Sequence, residues 1–159
     1  MDNLVNELSS ALLEKGMLLA TAESCTGGMI SSAITSCAGS SAIFERGFVT
    51  YSDNAKRELL GVSENILRHY GAVSAGCAVA MALGALDKSN ADISVSVTGI
   101  AGPDGGTDEK SVGLVYIAIA ILGKEPEEYE FNFSGDRKEV RRQACETALK
   151  LLIDAVSSV

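Results

Sequence analysis

Apolar residues recur at helical spacing near both ends of the chain. The N-terminal stripe stops at Lys15-Gly16, a basic last turn followed by glycine, and consists of Leu4, Val5, Leu8, Ala11 and Leu12. Near the C-terminus, Asp136-Arg137-Lys138-Glu139 resembles a capping box. It precedes a second apolar stripe formed by Val140, Ala144, Ala148, Leu149, Leu152 and Ala155. The pattern therefore predicts one helix at each end of the chain.

Short apolar runs alternate with further helical segments over the middle of the chain. The strand candidates are residues 17–22, 47–51, 92–98, 112–121 and 129–133. Helices are predicted to begin near Met29, after Ser52 or Asp53, and at Ser74. A hairpin-like turn at 123–126 joins the last two strands. This order predicts an α/β layered domain over residues 1–159, with a mostly parallel sheet that contains an antiparallel element.

The length and net charge of the chain exclude several classes of function. The 159 residues are 47% hydrophobic, enough for one domain with a core that needs no disulfide or metal. The net charge of −8 argues against a broad nucleic-acid surface, which needs clustered basic residues. No apolar run reaches the roughly 18–20 residues of a membrane helix, and the N-terminus does not have the pattern of a signal peptide. We therefore expect a cytoplasmic protein without membrane or nucleic-acid partners.

The cysteine and histidine content limits the metal chemistry. The four cysteines form no C-x-x-C pair and are expected to be buried free thiols. His69 is the only histidine, which excludes a multi-histidine zinc site, and we expect it to be structural or on the surface. The spacing of the acidic residues Asp104, Asp108 and Glu109 fails the calcium-loop pattern. We expect no metal ion or other cofactor.

Two glycine-bearing loops follow predicted strands, at residues 23–28 and 99–106. Small residues let backbone N–H groups approach a phosphate or carboxylate closely. Neither loop is a Walker loop or G-x-G-x-x-G, so structural turns remain an equal alternative. The substrate-binding candidates in these loops are Glu23, Ser24, Thr26, Gly27, Gly99 and Gly102.

Lys56 is a candidate general base, because a lysine can act in that role when it is neutral near pH 7. It lies in the first turn of a predicted helix, where the helix dipole and any burial both disfavour the ammonium form. The alternative is a solvated lysine on an amphipathic helix.

Basic residues cluster at the start of the last predicted helix. Arg137 and Arg141 are one turn apart, so both guanidinium groups can face one phosphate. A surface salt-bridge face with Asp136 and Glu139 is the alternative.

Several segments in order resemble the CinA C-terminal domain family, the nicotinamide-nucleotide amidases. They are Thr-Ala-Glu-Ser-Cys-Thr-Gly-Gly (21–28), Gly-Ser-Ser-Ala-Ile-Phe-Glu-Arg-Gly-Phe-Val-Thr-Tyr-Ser (39–52), Asn-Ala-Lys (54–56), Gly-Ala-Val-Ser (71–74), Val-Thr-Gly-Ile-Ala-Gly-Pro-Asp-Gly-Gly (97–106) and Ser-Gly-Asp-Arg…Val-Arg-Arg-Gln-Ala (134–144). The resemblance covers nearly the whole chain. It implies a three-layer α/β/α sandwich with a mixed sheet, and a homo-oligomer, taken as a dimer.

The resemblance also implies an activity, the hydrolysis of the carboxamide of nicotinamide mononucleotide in pyridine-nucleotide salvage. The products are nicotinate mononucleotide and ammonia. Carried over by position, the nucleophile is Ser41 and the general base is Lys56, with Tyr51 assisting. Ser24 is the rival nucleophile. The implied binding site includes Thr98 and one arginine, Arg141 in first place and Arg137 in second.

Two other functions remain open at this point. The first is a non-catalytic nucleotide-binding module linked to competence or the DNA-damage response. It would bind the mononucleotide without releasing ammonia. The second, a metal-dependent phosphohydrolase, has little support in the acidic spacing of the 104–109 segment.

Overall fold

Helices and strands alternate along most of the chain, and the computed structural model describes all of residues 1–159. The elements are α1 (Asp2–Lys15), β1 (Leu19–Glu23), α2 (Met29–Thr35), β2 (Phe44–Val49), α3 (Asp53–Leu60), α4 (Glu64–Tyr70), α5 (Ala75–Asp87), β3 (Ile93–Gly99), β4 (Leu114–Ile121), β5 (Glu127–Asn132) and α6 (Arg137–Ser157). A 3₁₀ turn at Ser40–Ala42 precedes β2. The predicted strands are all present, with ends displaced by a few residues.

The five strands form one mixed sheet in the order β2-β1-β3-β4-β5. The strands β2, β1 and β3 pair in parallel, and β4 is antiparallel to both β3 and β5. Glu23 at the end of β1 lies opposite Val49 of β2 and Val97 of β3. The carboxyl ends of the three parallel strands therefore meet at one edge of the sheet, where ligands collect in open α/β folds.

Helices cover both faces of the sheet, which confirms the three-layer architecture. On one face, α1, α2 and α6 bury a core that includes Leu8, Ile30 and Leu149 against β3 and β4. On the other face, α5 and α3 bury a smaller core that includes Leu60 and Met81. All four cysteines are free and three of them are buried, as expected, whereas Cys37 is only half-buried. No helix is both long and apolar enough to cross a membrane.

The alternating strand β3 is buried on both faces. Ile93, Val95 and Val97 point into the larger core. The hydroxyls of Ser94 and Ser96 donate hydrogen bonds to backbone carbonyls of α5, at 2.7 and 2.6 Å. These bonds satisfy the buried hydroxyl groups and hold α5 close to the sheet.

A glycine allows α5 to approach α3 equally closely. A Cβ atom built on Gly84 would lie 2.0 Å from the carbonyl oxygen of Leu60, the last residue of α3. No side chain fits there. Because α3 carries Lys56, this contact sets the position of the lysine relative to the sheet.

Candidate active site

A cleft of about 240 Å³ opens at the carboxyl edge of the parallel strands. The chemistry-bearing side chains in its wall are Ser24, Tyr51, Asp53, Lys56, Thr98 and Arg137. They come from the ends of β1, β2 and β3 and from the first turns of α3 and α6. Residues far apart in the sequence therefore meet where the topology predicts a ligand site.

Lys56 and Ser24 form the most buried polar pair of this cleft. The Lys56 Nζ atom lies 2.9 Å from Ser24 Oγ and donates a hydrogen bond of 2.8 Å to the carbonyl oxygen of Thr50. Lys56 is 1% exposed and Ser24 is 9% exposed. When the amine is neutral, its lone pair can accept the hydroxyl hydrogen of Ser24, which is the arrangement of a nucleophile with its base.

Burial lowers the pKa of Lys56 below its ordinary value of 10.5, because the ammonium form loses its hydration. Attraction between the ammonium group and the ionised forms of Cys77, Asp53 and Cys25 raises the pKa, but by less than burial lowers it. Lys56 therefore has a larger neutral fraction near pH 7 than a solvent-exposed lysine.

The expected pairing of Ser41 with Lys56 does not form. Ser41 is exposed in the 3₁₀ turn before β2, at the amino end of the sheet, whereas Lys56 follows the carboxyl end of β2. The strand between them has six residues, which at about 3.3 Å per residue span roughly 20 Å. The structure instead brings Lys56 to Ser24, the rival nucleophile.

Arg137 and Tyr51 lie together at the mouth of the cleft. The Arg137 guanidinium donates one hydrogen bond to Tyr51 Oη at 2.8 Å and another to the carbonyl oxygen of Gly102 at 2.9 Å. Tyr51 remains 62% exposed. Gly102 is buried, outside the cleft wall, and has a φ of 82°. Its carbonyl therefore helps to hold Arg137 and is not a direct ligand group in this cleft.

Thr98 and Gly99 form the β3 side of the cleft. Thr98 Oγ1 donates a hydrogen bond of 2.7 Å to the carbonyl oxygen of Ala72 and so fastens the segment between α4 and α5. A Cβ atom on Gly99 would lie 2.7 Å from the carbonyl oxygen of Leu114. Close packing against β4 therefore explains why this position is a glycine.

Glu23 does not face the cleft, although the sequence marks it as a substrate-binding candidate. Its buried carboxylate accepts four hydrogen bonds at the start of α2, from the amides of Gly28, Ile30 and Ser31 and from Ser31 Oγ, at 2.7–3.1 Å. An acidic group at a helix N-terminus is also favoured by the helix dipole. Glu23 therefore anchors the 24–28 loop that carries Ser24.

Replacing Glu23 by alanine is expected to destabilise the protein by about 3 kcal/mol or more, because buried amide donors lose a charged acceptor. The midpoint of denaturant unfolding measures the change. Glu7→Gln, at an exposed position on α1, is the matched control and should leave the midpoint unchanged. A wild-type midpoint for Glu23→Ala would show that the four hydrogen bonds do not hold the loop.

Arg141 also contacts the 24–28 loop. Its Nε atom donates to the carbonyl oxygen of Cys25 at 3.0 Å, and one terminal nitrogen donates to that of Thr26 at 2.9 Å. Thr26 is fully buried and its hydroxyl has no partner. Gly27 adopts a φ of 59°, and a Cβ atom there would lie 3.5 Å from Arg141. Neither Thr26 nor Gly27 lines the cleft.

A second cavity of about 460 Å³ adjoins the cleft at the start of α6. The two share Ala101 and Arg137, and the larger cavity is also lined by Lys138 and Arg141. Basic side chains therefore border the route that leads away from Ser24.

His69 lies outside the cleft, on α4, where its ring Nδ1 contacts the carbonyl oxygen of Asn65. Five cleft residues were not predicted as site residues, although four of them lie in the motifs that carry the family resemblance. They are Cys25, Ala72, Val73 and Ala101, within those motifs, and Asp53. Asp53 was considered only as a helix cap, and the others are small or apolar residues without distinctive chemistry.

Comparison with known proteins adds independent evidence. The profile of the CinA C-terminal domain matches residues 1–156. The chain is 52% identical to the protein named nicotinamide-nucleotide amidohydrolase PncC from Escherichia coli K12, over 94% of this chain and 90% of that protein. It is 54% identical to the protein of the same name from Enterobacter agglomerans, over 92% of both.

A solved structure has the same fold. The crystal structure of the competence/damage inducible protein CihA from Agrobacterium tumefaciens matches with a TM-score of 0.95 and 44% identity, over 98% of this chain and 94% of that one. The family match and the close relatives each cover almost the entire sequence. The chain therefore belongs to the CinA C-terminal domain family.

Proposed function

We propose that this protein hydrolyses the carboxamide of nicotinamide mononucleotide to nicotinate mononucleotide and ammonia. The observation that carries the proposal is the 2.9 Å separation of Lys56 Nζ and Ser24 Oγ inside the cleft. The names of the relatives from E. coli and E. agglomerans support the choice of substrate.

In the first half-reaction, Ser24 Oγ attacks the carboxamide carbon while neutral Lys56 takes the hydroxyl proton. A C–O bond forms and the carbonyl becomes a tetrahedral oxyanion. When the intermediate collapses, the C–N bond breaks and Lys56 returns the proton to the departing nitrogen. Ammonia leaves, and the nicotinoyl group remains as an ester of Ser24.

In the second half-reaction, a water molecule takes the place of ammonia. Lys56 accepts one proton from the water as its oxygen attacks the ester carbon. The ester bond breaks, Ser24 Oγ regains a proton from Lys56, and nicotinate mononucleotide departs and loses its carboxyl proton to solvent. One lysine thus serves both half-reactions, first as base and then as acid.

The two adjoining cavities suit the two parts of the substrate. The nicotinamide ring occupies the cleft beside Ser24, and Thr98 and Tyr51 form its walls. The ribose phosphate extends into the larger cavity, where the cationic side chains of Arg137 and Lys138 attract it. Binding the remote phosphate holds the amide in place against the serine.

Ammonia release from three substrates tests the proposal. We expect the purified protein to release ammonia from nicotinamide mononucleotide faster than from nicotinamide riboside, which lacks the phosphate, and from NAD, which carries a second nucleotide. The folded state is checked by circular dichroism on the same preparation. A folded protein that releases no ammonia from the mononucleotide over hours would contradict the proposal.

A further inference from the structure

Two backbone amides directly after Ser24 have no hydrogen-bond acceptor in the protein. These are the N–H groups of Cys25 and Thr26, although Cys25 is 6% exposed and Thr26 is fully buried. The neighbouring amides of the loop are all paired, Ser24 N with Val97 O, Gly27 N with Ser24 O and Gly28 N with the Glu23 carboxylate. Buried amides without a partner are rare in folded proteins.

The carbonyls of the same two peptide groups are both held. The Ser24 carbonyl accepts from Gly27 N at 3.0 Å, and the Cys25 carbonyl accepts from Arg141 Nε at 3.0 Å. In a trans peptide the N–H points away from the C=O. The bond from Gly27 N therefore aims the Cys25 N–H to the other side, and the bond from Arg141 fixes the next peptide group, so Cys25 is held on both sides.

Arg141 acts on this loop as a charged donor. Its guanidinium bridges two successive carbonyls, those of Cys25 and Thr26, from the first turns of α6. Charge-assisted hydrogen bonds of this kind are stronger than those between neutral groups, so they hold the peptide group after Cys25 in a fixed orientation. A Cβ atom at Gly27 would make only an ordinary van der Waals contact with the guanidinium, at 3.5 Å, so the positive φ of 59° is what favours glycine there.

We propose that the N–H group of Cys25 binds the oxyanion formed when Ser24 is acylated, and that Arg141, which holds the carbonyl of the same residue, is the positioning residue that fixes Cys25 in place. The inference rests on the proposed serine mechanism. Cys25 lines the cleft beside Ser24, so its amide is close to the carbon under attack. Donors fixed in advance stabilise developing charge without reorganising during the reaction.

This role for Arg141 differs from phosphate binding, and the two make different kinetic predictions. A phosphate ligand affects kcat/KM only for substrates that carry a phosphate. A residue that aims oxyanion donors affects kcat, and it does so equally for nicotinamide mononucleotide and nicotinamide riboside.

The test compares Arg141→Met with wild type on both substrates. We expect kcat to fall by about 10- to 100-fold by the same factor on each, with KM nearly unchanged, and partial recovery in Arg141→Lys. Arg142→Met is the matched control. The Arg142 side chain pairs with Glu139 and Glu146 at the surface, so its loss should leave kcat unchanged.

A second readout does not depend on the natural substrate. Phenylmethanesulfonyl fluoride sulfonylates an activated serine, with formation of an O–S bond, loss of fluoride and transfer of the hydroxyl proton to Lys56. A sulfonyl oxygen then occupies the oxyanion position. Intact-protein mass spectrometry should show slower modification of Ser24 in Arg141→Met than in wild type and Arg142→Met.

The outcomes separate the inference from the proposed function. Unchanged kcat, or an unchanged sulfonylation rate, in folded Arg141→Met overturns the inference and leaves the amidase proposal standing. A loss of kcat/KM confined to the phosphorylated substrate, whether in kcat or in KM, assigns Arg141 to the phosphate and also overturns the inference. If the wild-type protein is inactive on the mononucleotide but is sulfonylated faster than Arg141→Met, the proposed substrate is wrong and the inference is supported. If the wild-type protein neither releases ammonia nor is sulfonylated, both fall.

Discussion

Alanine at position 24 is expected to lower kcat for ammonia release by about 10⁴-fold or more, because no other hydroxyl within reach of Lys56 can form the acyl intermediate. Ser24 Oγ is the only hydroxyl that hydrogen-bonds to the lysine amine. The substitution removes one oxygen atom from a residue that is 9% exposed, so the fold should be retained. Steady-state ammonia release and circular dichroism on one preparation measure both effects.

Ser41→Ala is the matched control for this experiment. Each serine lies in a segment that resembles the family, Ser24 in 21–28 and Ser41 in 39–52, yet Ser41 is exposed in the 3₁₀ turn that precedes β2. Its kcat should equal that of wild type. Full turnover by Ser24→Ala, together with loss of turnover in Ser41→Ala, would reverse the assignment of the nucleophile.

Replacing Lys56 by methionine is expected to lower kcat by about 10²- to 10⁴-fold, the usual contribution of a general base. Methionine retains much of the apolar stem while removing the amine. The pH profile identifies the role: in wild type, kcat/KM should rise with pH as the Lys56 amine loses its proton. Because burial lowers the pKa of Lys56, the rise should lie below 10.5. Residual activity in Lys56→Met should lack this rise.

Unfolding measurements give an independent check on Lys56. The unfolded chain holds a proton on this lysine up to about pH 10.5, whereas the folded protein releases it at lower pH. Between the two pKa values the unfolded state binds more protons, so this residue makes the free energy of unfolding rise with pH. Lys56→Met should remove that part of the rise, while Lys150→Met, an exposed lysine on α6, should not. If the free energy of unfolding rises equally steeply with pH in wild type and in Lys56→Met, the pKa of Lys56 is not lowered in the folded protein.

The layered fold follows directly from the hydrophobic pattern. The stripe from Leu4 to Leu12 and the stripe from Val140 to Leu152 each specify one buried helix face, and both helices pack on the same side of the sheet. Glycine and hydroxyl residues at helix ends, such as Gly16 and Ser74, mark the boundaries well because they satisfy local backbone groups. Local chemistry is sufficient for these features.

The proposed nucleophile was harder to predict, since its position depends on which strand ends lie side by side in the sheet. Ser24 follows the predicted strand at 17–22, and Lys56 follows the one at 47–51. In parallel strands both positions lie at the carboxyl edge, whereas Ser41 precedes its strand. The family resemblance placed the nucleophile by motif alone, whereas the position of Ser24 after its strand favours that serine.

The roles of Glu23 and Arg141 depend on tertiary contacts that residue types do not reveal. A glutamate beside a glycine loop suits a ligand site and a helix N-terminus equally well. Arg141 contacts Cys25 in the loop although the two residues are 116 positions apart in the sequence. Only the folded chain shows that these two side chains hold the loop from two sides, Glu23 at its α2 end and Arg141 at its carbonyls.

Trapping of the covalent intermediate tests the central claim most directly. Wild-type protein is mixed with nicotinamide mononucleotide, quenched in acid within milliseconds and digested for peptide mass spectrometry. We predict a nicotinoyl mononucleotide ester on the peptide that contains Ser24, absent from Ser24→Ala. An ester on the Ser41 peptide, or full ammonia release by Ser24→Ala, would contradict the account.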